Sequence, residues 1–127
     1  MPFLFPQKVL FKHCDPAGIV FYPRHFEMIN DVVEAFFDTQ LGHPFETLHQ
    51  TGAVPTAQIE TTFTAPSRHG DALLIALRCT RIGGASLGLG FEGRCGNEMR
   101  FTASSTLVHV NAEGRPEAWP PRLRRAI

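Results

Sequence analysis

The chain has 127 residues, 43% hydrophobic and 19% charged, which suits a single globular domain spanning residues 1–127. Twelve Lys and Arg residues balance twelve Asp and Glu residues, so no net charge attracts nucleic acid or an anionic membrane. The longest apolar runs fall far short of the about 20 residues that span a bilayer, so we expect neither nucleic acid nor a membrane as a partner.

The N-terminal residues and the cysteines indicate the compartment. Residues 1–6 contain two prolines and no basic stretch before an apolar segment, so they do not resemble a secretion signal. Three widely spaced cysteines, Cys14, Cys79 and Cys95, are typical of reduced thiols rather than of disulfides or a metal knuckle. We therefore expect a cytoplasmic protein without a bound metal.

The first predicted elements are a short strand, a tight turn and a long helix. Alternating apolar and basic residues favour a strand over residues 7–12. The segment Asp15-Pro16-Ala17-Gly18 has the composition of a tight turn. After Pro23, apolar residues recur at steps of three and four until Leu41, which predicts one helix of about 18 residues with a Phe-rich face.

From Gly52 onward the apolar residues alternate with polar ones, which predicts strands. Four such strands are predicted, over residues 59–65, 73–80, 86–92 and 99–110. Glycine-rich turns between them make consecutive strands antiparallel. Residues 114–127 have no apolar period and are predicted to be an irregular basic tail. One long helix and about five antiparallel strands bury each other only if the sheet wraps around the helix, an α+β architecture.

The turn at Asp15 is the segment that points to chemistry. Apolar neighbours on the loop would desolvate the Asp15 carboxylate, which is costly unless the group is used or paired. Tyr22 directly precedes Pro23, so its backbone N–H lies at the open end of the helix, where negative charge is favoured. A carboxylate and such an amide are two parts of an acyl-transfer site. Alternatively, Asp15 only stabilises its own Asp-Pro turn.

The run from His13 to Phe26, HCDPAGIVFYPRHF, closely resembles the signature of the 4-hydroxybenzoyl-CoA thioesterase family. Members of that family have the hotdog fold, in which the sheet wraps around one long helix. The Phe-rich helix after the motif and the bend at residues 66–71 are similar to the family's order of elements. The resemblance therefore implies an acyl-CoA thioesterase of the hotdog fold.

The resemblance also implies roles for individual residues. Asp15 matches the catalytic carboxylate, as nucleophile or general base, and Tyr22 matches the residue whose backbone N–H polarises the thioester carbonyl. Gly18 would keep the loop open to substrate. No metal or other cofactor is needed, because a thiol leaves readily as thiolate. In this family the sheets of two subunits join and the sites lie at their interface, so a homodimer or homotetramer is implied.

Substrate-binding candidates are His25, Asn30 and Arg81. His25, in the first helical turn, faces either the site or solvent. Asn30 lies fifteen residues beyond Asp15, where the hydroxybenzoyl-CoA enzyme has an acidic residue in its acyl pocket. Arg81 is one of few cations near residues 82–85, which replace a basic stretch of that enzyme that would meet CoA phosphates. The arginines of the tail could substitute for that stretch, or merely keep the tail soluble: Arg115, Arg122, Arg124 and Arg125.

Three questions about function stay open at the level of sequence. A hotdog hydratase or dehydratase would use a histidine such as His25 as a proton carrier, whereas a non-catalytic acyl-binding protein would use Asp15 only as a turn residue. The carrier is either CoA or an acyl carrier protein. The acyl group is either aromatic or aliphatic, and Asn30 cannot attract a phenol proton as a carboxylate does.

Overall fold

The computed structural model describes residues 1–127 and contains a five-stranded antiparallel sheet, a two-stranded ribbon and three α-helices. The strands are β1 (Phe3–Lys8), β2 (Gly52–Ala53), β3 (Thr56–Phe63), β4 (Ala72–Ile82), β5 (Ser86–Cys95), β6 (Glu98–Val108) and β7 (Val110–Asn111). The helices are α1 (Pro23–Ala35), α2 (Phe45–Leu48) and α3 (Pro121–Ala126). The order in the large sheet is β1-β4-β5-β6-β3, which leaves β1 and β3 as edges, and β2 pairs with β7. This sheet and its helix confirm the predicted α+β architecture.

Helix α1 begins at Pro23, whose ring suits the first helical position, and continues as a π-helical turn over Phe36–Gln40. The two segments together span 18 residues, as predicted. Met28 and Val32 are fully buried on the face toward the sheet, and Phe37 is fully buried in the π-helical turn. The apolar period in the sequence therefore identifies the face that forms the core. No helix in the chain is both long and apolar enough to cross a membrane.

The first strand was predicted too late in the chain. β1 covers Phe3–Lys8, and residues Phe11–His13 form a 3-10 turn instead. The imidazole of His13 accepts a hydrogen bond from the Leu10 backbone N–H over 2.9 Å, which closes this turn. Phe11 is consequently 81% exposed, although the alternating pattern suggested a buried strand position. Pro6 is tolerated in β1 because β1 is an edge strand.

The C-terminal segment is not an irregular tail, because residues 121–126 form α3 and pack on the core. Trp119 is 3% exposed and donates its indole N–H to the Ser86 carbonyl over 3.0 Å, and Leu123 is 1% exposed. The guanidinium of Arg124 bonds the Gly83 carbonyl over 2.8 Å. Residues 115–125 contain three prolines and four arginines, so Trp119 and Leu123 do not form a recognisable apolar period in the sequence.

Glycines 88 and 90 in β5 face a register shift in β4 between Cys79 and Arg81. A Cβ atom at Gly88 would lie 2.8 Å from the Thr80 hydroxyl oxygen, and one at Gly90 would lie 3.3 Å from the Thr80 methyl carbon. These glycines therefore make room for the displaced Thr80 side chain.

Candidate active site

The loop that carries Asp15 is a closed turn. One carboxylate oxygen of Asp15, Oδ1, accepts a hydrogen bond from the Ala17 backbone N–H over 2.9 Å. The Asp15 carbonyl accepts a second bond from the Gly18 N–H over 2.9 Å, and its own N–H donates to the Ile19 carbonyl. Gly18 has a φ of 81°, in the left-handed region that glycine adopts without strain. The turn holds the half-buried carboxylate in place and engages only one of its two oxygens.

A buried cation anchors the neighbouring loop, on which the Asp15 turn rests. The Val20 N–H donates to the Ser67 carbonyl over 2.8 Å. Arg100, whose side chain is 11% exposed, bonds the Pro66 carbonyl, the Ser67 hydroxyl and, over 2.7 Å, the Asp71 carboxylate. The bond from Arg100 lowers the pKa of Asp71. Asp71 therefore closes the turn with Arg68, and it also holds this cation.

Tyr22 presents an unused amide at the start of α1. The N–H groups of Arg24 and His25 bond the carbonyls of Phe21 and Tyr22, and Pro23 has no N–H. The Tyr22 N–H itself donates no hydrogen bond within the chain. It is thus an orphan donor at a helix N-terminus, where the helix dipole favours a negatively charged oxygen.

A small aromatic pocket of about 350 Å³ lies beside this amide and is lined by Ile19, Tyr22, His25, Phe63 and Ser67, among others. His25 is 5% exposed, and its ring centroid lies 4.8 Å from that of Phe63. Its Nδ1 lies 3.3 Å from the Tyr22 carbonyl, so Nδ1 carries the proton that is donated. Burial lowers the pKa of His25, partly offset by this bond, which keeps the ring neutral at pH 7. His25 therefore faces the pocket rather than solvent.

A large cleft of about 670 Å³ lies further along the helix, beside Phe26 to Val33. Its α1 wall is formed by Phe26, Ile29, Asn30 and Val33. The opposite wall is formed by α2 and the residue after it, by β3 and by β6. These elements supply, in the same order, Phe45 and His49, Thr56 and Ile59, and Ser105 and Leu107. Eight of its thirteen lining residues are hydrophobic, so the cleft suits an apolar group with a few polar contacts.

Asn30 lies on the exposed rim of this cleft, not inside it. With Phe26 it also lines a polar groove of about 500 Å³, whose other members include Lys12 and His13. The groove therefore leads from the segment before the Asp15 turn to the large cleft. Asp15 lines neither of these cavities and does not line the aromatic pocket in the single chain.

Arg81 is placed far from the Asp15 turn of the same chain. Asp71 directly precedes β4, at the end of the strand near that turn. Arg81 lies ten residues further along the strand, about 33 Å from Asp71 at the usual rise per residue. Two arginines of the C-terminal segment are also engaged elsewhere. The Arg122 guanidinium donates to the carbonyls of Leu41 and Gly42, because carbonyls at the C-terminal end of the long helix have no partner within the helix. The Arg124 guanidinium donates to the Gly83 carbonyl.

His13, Cys14 and Asp15 do not form a metal site, and no three potential ligand side chains gather anywhere in the chain. His13 is 4% exposed and uses Nδ1 as an acceptor within its own turn. All three cysteines are free thiols.

Sequence reasoning did not identify Phe63, His49 or Ser105 as residues of these cavities. Phe63 ends β3, and its contact with His25 joins segments almost forty residues apart. Ser105 had a usable signal, because it occupies an inward position of the alternating strand β6 between Phe101 and Leu107. A polar residue in an inward phase indicates either a hydrogen bond or a cavity.

A family model described as the thioesterase-like superfamily matches residues 9–127. The chain belongs to the thioesterase-like superfamily. This protein is accordingly a thioester hydrolase. The superfamily is broader than the 4-hydroxybenzoyl-CoA thioesterases that the motif around Asp15 resembles. No curated protein sequence gives a significant match.

Solved structures share the fold along nearly the whole chain. A 1,4-dihydroxy-2-naphthoyl-CoA thioesterase from Synechocystis is 20% identical, with a TM-score of 0.92 over 100% of this chain and 96% of that one. A gentisyl-coenzyme A thioesterase is 23% identical, with a TM-score of 0.89 over 97% and 98% of the two chains. A probable thioesterase from Bartonella henselae is 22% identical, with a TM-score of 0.90 over 94% and 100%. These neighbours confirm the predicted hotdog fold.

Proposed function

We propose that the thioesterase hydrolyses an acyl-CoA ester in the cytoplasm, with Asp15 as nucleophile or general base and the Tyr22 N–H as oxyanion donor. The observation that carries the proposal is the orphan Tyr22 N–H at the start of α1, seven residues after a half-buried carboxylate with one free oxygen. The motif from His13 to Phe26, which resembles that of the 4-hydroxybenzoyl-CoA thioesterases, supports the same two roles. CoA as the carrier is further supported by neighbours whose names specify CoA esters.

Two routes conserve atoms and charge. In the first, an Asp15 oxygen attacks the thioester carbonyl, the C–S bond breaks, and CoA leaves as thiolate; water then hydrolyses the mixed anhydride and restores the carboxylate. In the second, Asp15 removes a proton from a water molecule whose oxygen attacks the carbonyl; the C–S bond then breaks, CoA leaves as thiolate, and the proton held by Asp15 passes to the thiolate or to solvent, which restores the carboxylate. In both, the Tyr22 N–H stabilises the negative carbonyl oxygen, a contribution of about 3 to 4 kcal/mol in comparable acyl-transfer sites.

Heavy-oxygen water separates the two routes. Repeated turnovers in labelled water should place label in the peptide that contains Asp15 if the anhydride forms and water attacks its aspartyl carbonyl. Label confined to the released acid would favour general-base catalysis. Mass spectrometry of the digested protein and of the product provides both measurements.

We further propose that the working unit is a dimer in which two β3 edges pair. β3 is an edge strand on which all residues except Thr61 are exposed, including Ile59 at 38% and Phe63 at 43%. Such an edge is a template for another strand. Antiparallel pairing brings the Phe63 end of one strand to the Thr56 end of the other. The aromatic pocket of one chain, with its Tyr22 amide, would then adjoin the large cleft of its partner.

Mixing two inactive variants tests this arrangement. Asp15→Asn removes the carboxylate, and Asn30→Trp fills the cleft from its exposed rim. If each site combines Asp15 of one chain with the cleft of the other, coexpressed variants should recover about a quarter of wild-type activity, because half the dimers contain one intact site of two. A site within one chain recovers none. Glu34→Trp, exposed on the same helix outside the cleft, is the matched control and should leave activity unchanged.

One observation favours a second reaction, the hydration of an enoyl-CoA. His25 is a buried, neutral imidazole in the pocket beside Tyr22, where it could carry a proton. A hydratase would remove the absorbance of the conjugated thioester without releasing thiol. Release of thiol from saturated esters and no change in an enoyl ester would leave hydrolysis as the only reaction.

A further inference from the structure

Arg100 on β6 is a buried cation that takes no part in the proposed reaction. Its side chain is only 11% exposed and forms ion pairs with Asp71, over 2.7 Å, and with Glu98, over 2.6 Å. Regular pairing is interrupted on both sides of Arg100, because β3 ends opposite Phe101 and Arg100 is the extra residue of a register shift between β5 and β6. A buried charge is costly even when it is paired, so its place in the fold needs an explanation.

Arg100 holds the loop that follows β3, residues 64–71. One terminal nitrogen of its guanidinium donates to the Pro66 carbonyl over 3.1 Å and to the Ser67 hydroxyl over 3.3 Å. The same nitrogen donates to the Asp71 carboxylate at the far end of the loop. The middle and the end of the 64–71 loop are therefore tied to one side chain.

The 64–71 loop forms one wall of the aromatic pocket beside the Tyr22 amide, and its first four residues all line that pocket. Ser67, which is 1% exposed, accepts a hydrogen bond at its carbonyl from the Val20 N–H over 2.8 Å. Val20 lies two residues before Tyr22. Consecutive hydrogen bonds and a short stretch of backbone thus connect Arg100 to the Tyr22 N–H.

Stability alone does not account for a cation at this position. Apolar side chains of similar volume often stabilise a buried position as well as an ion pair does. A guanidinium differs because its planar charged fork fixes the directions of several bonds at once. The 64–71 loop contains no helix or strand of its own, so the bonds to Arg100 help to set its shape.

We propose that Arg100 is a positioning residue for hydrolysis: it fixes the 64–71 loop, and the loop fixes the direction of the Tyr22 N–H. This inference rests on the proposed function, in which that amide stabilises the negative oxygen. Arg100 itself touches no reacting atom. Its loss leaves the cavities in place but displaces the oxyanion donor, which slows the chemical step more than it weakens substrate binding.

The first test is Arg100→Met, which removes the guanidinium and keeps an unbranched side chain. We expect kcat to fall about 10- to 100-fold and KM to change less than about threefold, because a misplaced donor mainly weakens binding of the transition state. Thiol release is measured well below the Tm of each variant, so that the protein is folded throughout. Arg94→Met is the matched control, because Arg94 is an exposed arginine on β5, and it should alter neither constant.

Two outcomes of this assay would overturn the inference while leaving thioester hydrolysis intact. One is a kcat for Arg100→Met within twofold of wild type. The other is a KM that rises by as much as kcat falls, since that pattern indicates a damaged pocket rather than a displaced donor.

A double replacement asks whether Arg100 acts through the Tyr22 amide. Tyr22→Pro removes the N–H at a residue whose φ of −54° proline can adopt. In that background, Arg100→Met should lower kcat by less than about twofold, because the donor that Arg100 positions is already absent. An equal loss of kcat with and without the amide would contradict the proposed connection.

Hydrogen exchange followed by NMR tests the same connection without substrate. In Arg100→Met, the Val20 amide should exchange at least tenfold faster than in wild type. Its acceleration should exceed that of Leu77, a buried residue of the central strand β4 that reports the stability of the whole fold. Equal acceleration of the two amides would show that Arg100 only stabilises the fold, which would overturn the inference.

The exchange measurement also decides the case in which Tyr22→Pro does not fold. If wild-type protein releases no thiol from any acyl-CoA ester, the proposed function fails instead. Exchange at Val20 then still decides whether Arg100 fixes the segment that leads to Tyr22.

Discussion

Replacing Asp15 by Asn separates the chemistry of the carboxylate from its part in the turn. The Asn amide oxygen can accept the same 2.9 Å bond from the Ala17 N–H, so the loop should keep its shape. Asp15→Ala loses that bond, at a cost of about 1 kcal/mol, or about 4 °C in Tm for a domain of this size. Both variants lose the attacking or proton-accepting oxygen, and kcat should fall on the order of 10⁴-fold in each.

The expected signature is therefore equal loss of activity with unequal loss of stability. Thiol release from a substrate of the wild-type protein measures kcat, and thermal melting followed by circular dichroism measures stability. Asp38→Asn, at an exposed carboxylate on the π-helical turn, is the matched control and should alter neither. Asp15→Asn with more than a tenth of wild-type kcat would refute the role of the carboxylate. Equal melting temperatures for Asp15→Asn and Asp15→Ala would refute the account of the turn.

Three further outcomes are expected. Asp71→Asn should destabilise the protein by about 2 kcal/mol at neutral pH, because it removes the carboxylate that pairs with Arg100. Arg100 lowers the pKa of Asp71 below 3.8, so the stability difference between wild type and variant should persist above pH about 4 and disappear in acid. Melting curves at pH 2 to 7 measure this difference. Wild-type kcat/KM for 4-hydroxybenzoyl-CoA should exceed that for benzoyl-CoA by less than about 100-fold, and Asn30→Asp should raise the ratio about tenfold, since only the carboxylate accepts a charge-assisted bond from the phenol. Truncation after Glu113 should unfold the chain rather than raise KM for CoA esters, because it removes the buried Trp119 anchor, a loss of about 3 to 5 kcal/mol that circular dichroism would detect.

The helix and the central strands were predictable because each has a local apolar period that matches its burial. In β5, the buried residues Leu87, Leu89 and Phe91 alternate in the sequence with glycines and Glu92. The ends of the sheet were not predictable by this criterion. β1 alternates half-buried and exposed residues at an edge, and its Phe, Leu and Pro residues give no polar contrast.

The C-terminal helix was missed for a different reason. Its contribution to the core comes from Trp119 and Leu123, four residues apart in a segment dominated by proline and arginine. Two apolar residues do not establish a period, so composition suggested a solvated tail. Arg122 and Arg124 were candidates for phosphate binding, but each bonds backbone carbonyls of distant segments. Their partners could not be inferred without the fold.

The candidate site was partly readable because its two main parts are local. Asp15 and Tyr22 lie on one loop, and the absence of a partner for the Tyr22 N–H follows from its place before Pro23 at the start of a helix. What fixes that loop is not local. The Val20 amide is held by the Ser67 carbonyl, and Ser67 in turn contacts Arg100, so three segments separated by more than thirty residues must meet.

The cleft depends even more on the tertiary structure, since α1, α2, β3 and β6 each supply part of its wall. The sequence indicates that Ser105 points inward from an alternating strand. It does not distinguish a serine that lines a cavity from one that hydrogen-bonds a neighbouring strand. Only the fold shows that the helix above it leaves an open volume rather than a packed contact. Ser105 is 5% exposed and lines the cleft, and both facts depend on how β6 packs against the other elements. The candidate catalytic loop can thus be recognised from the local sequence at the start of one helix, whereas the cleft forms only when four separate elements pack together.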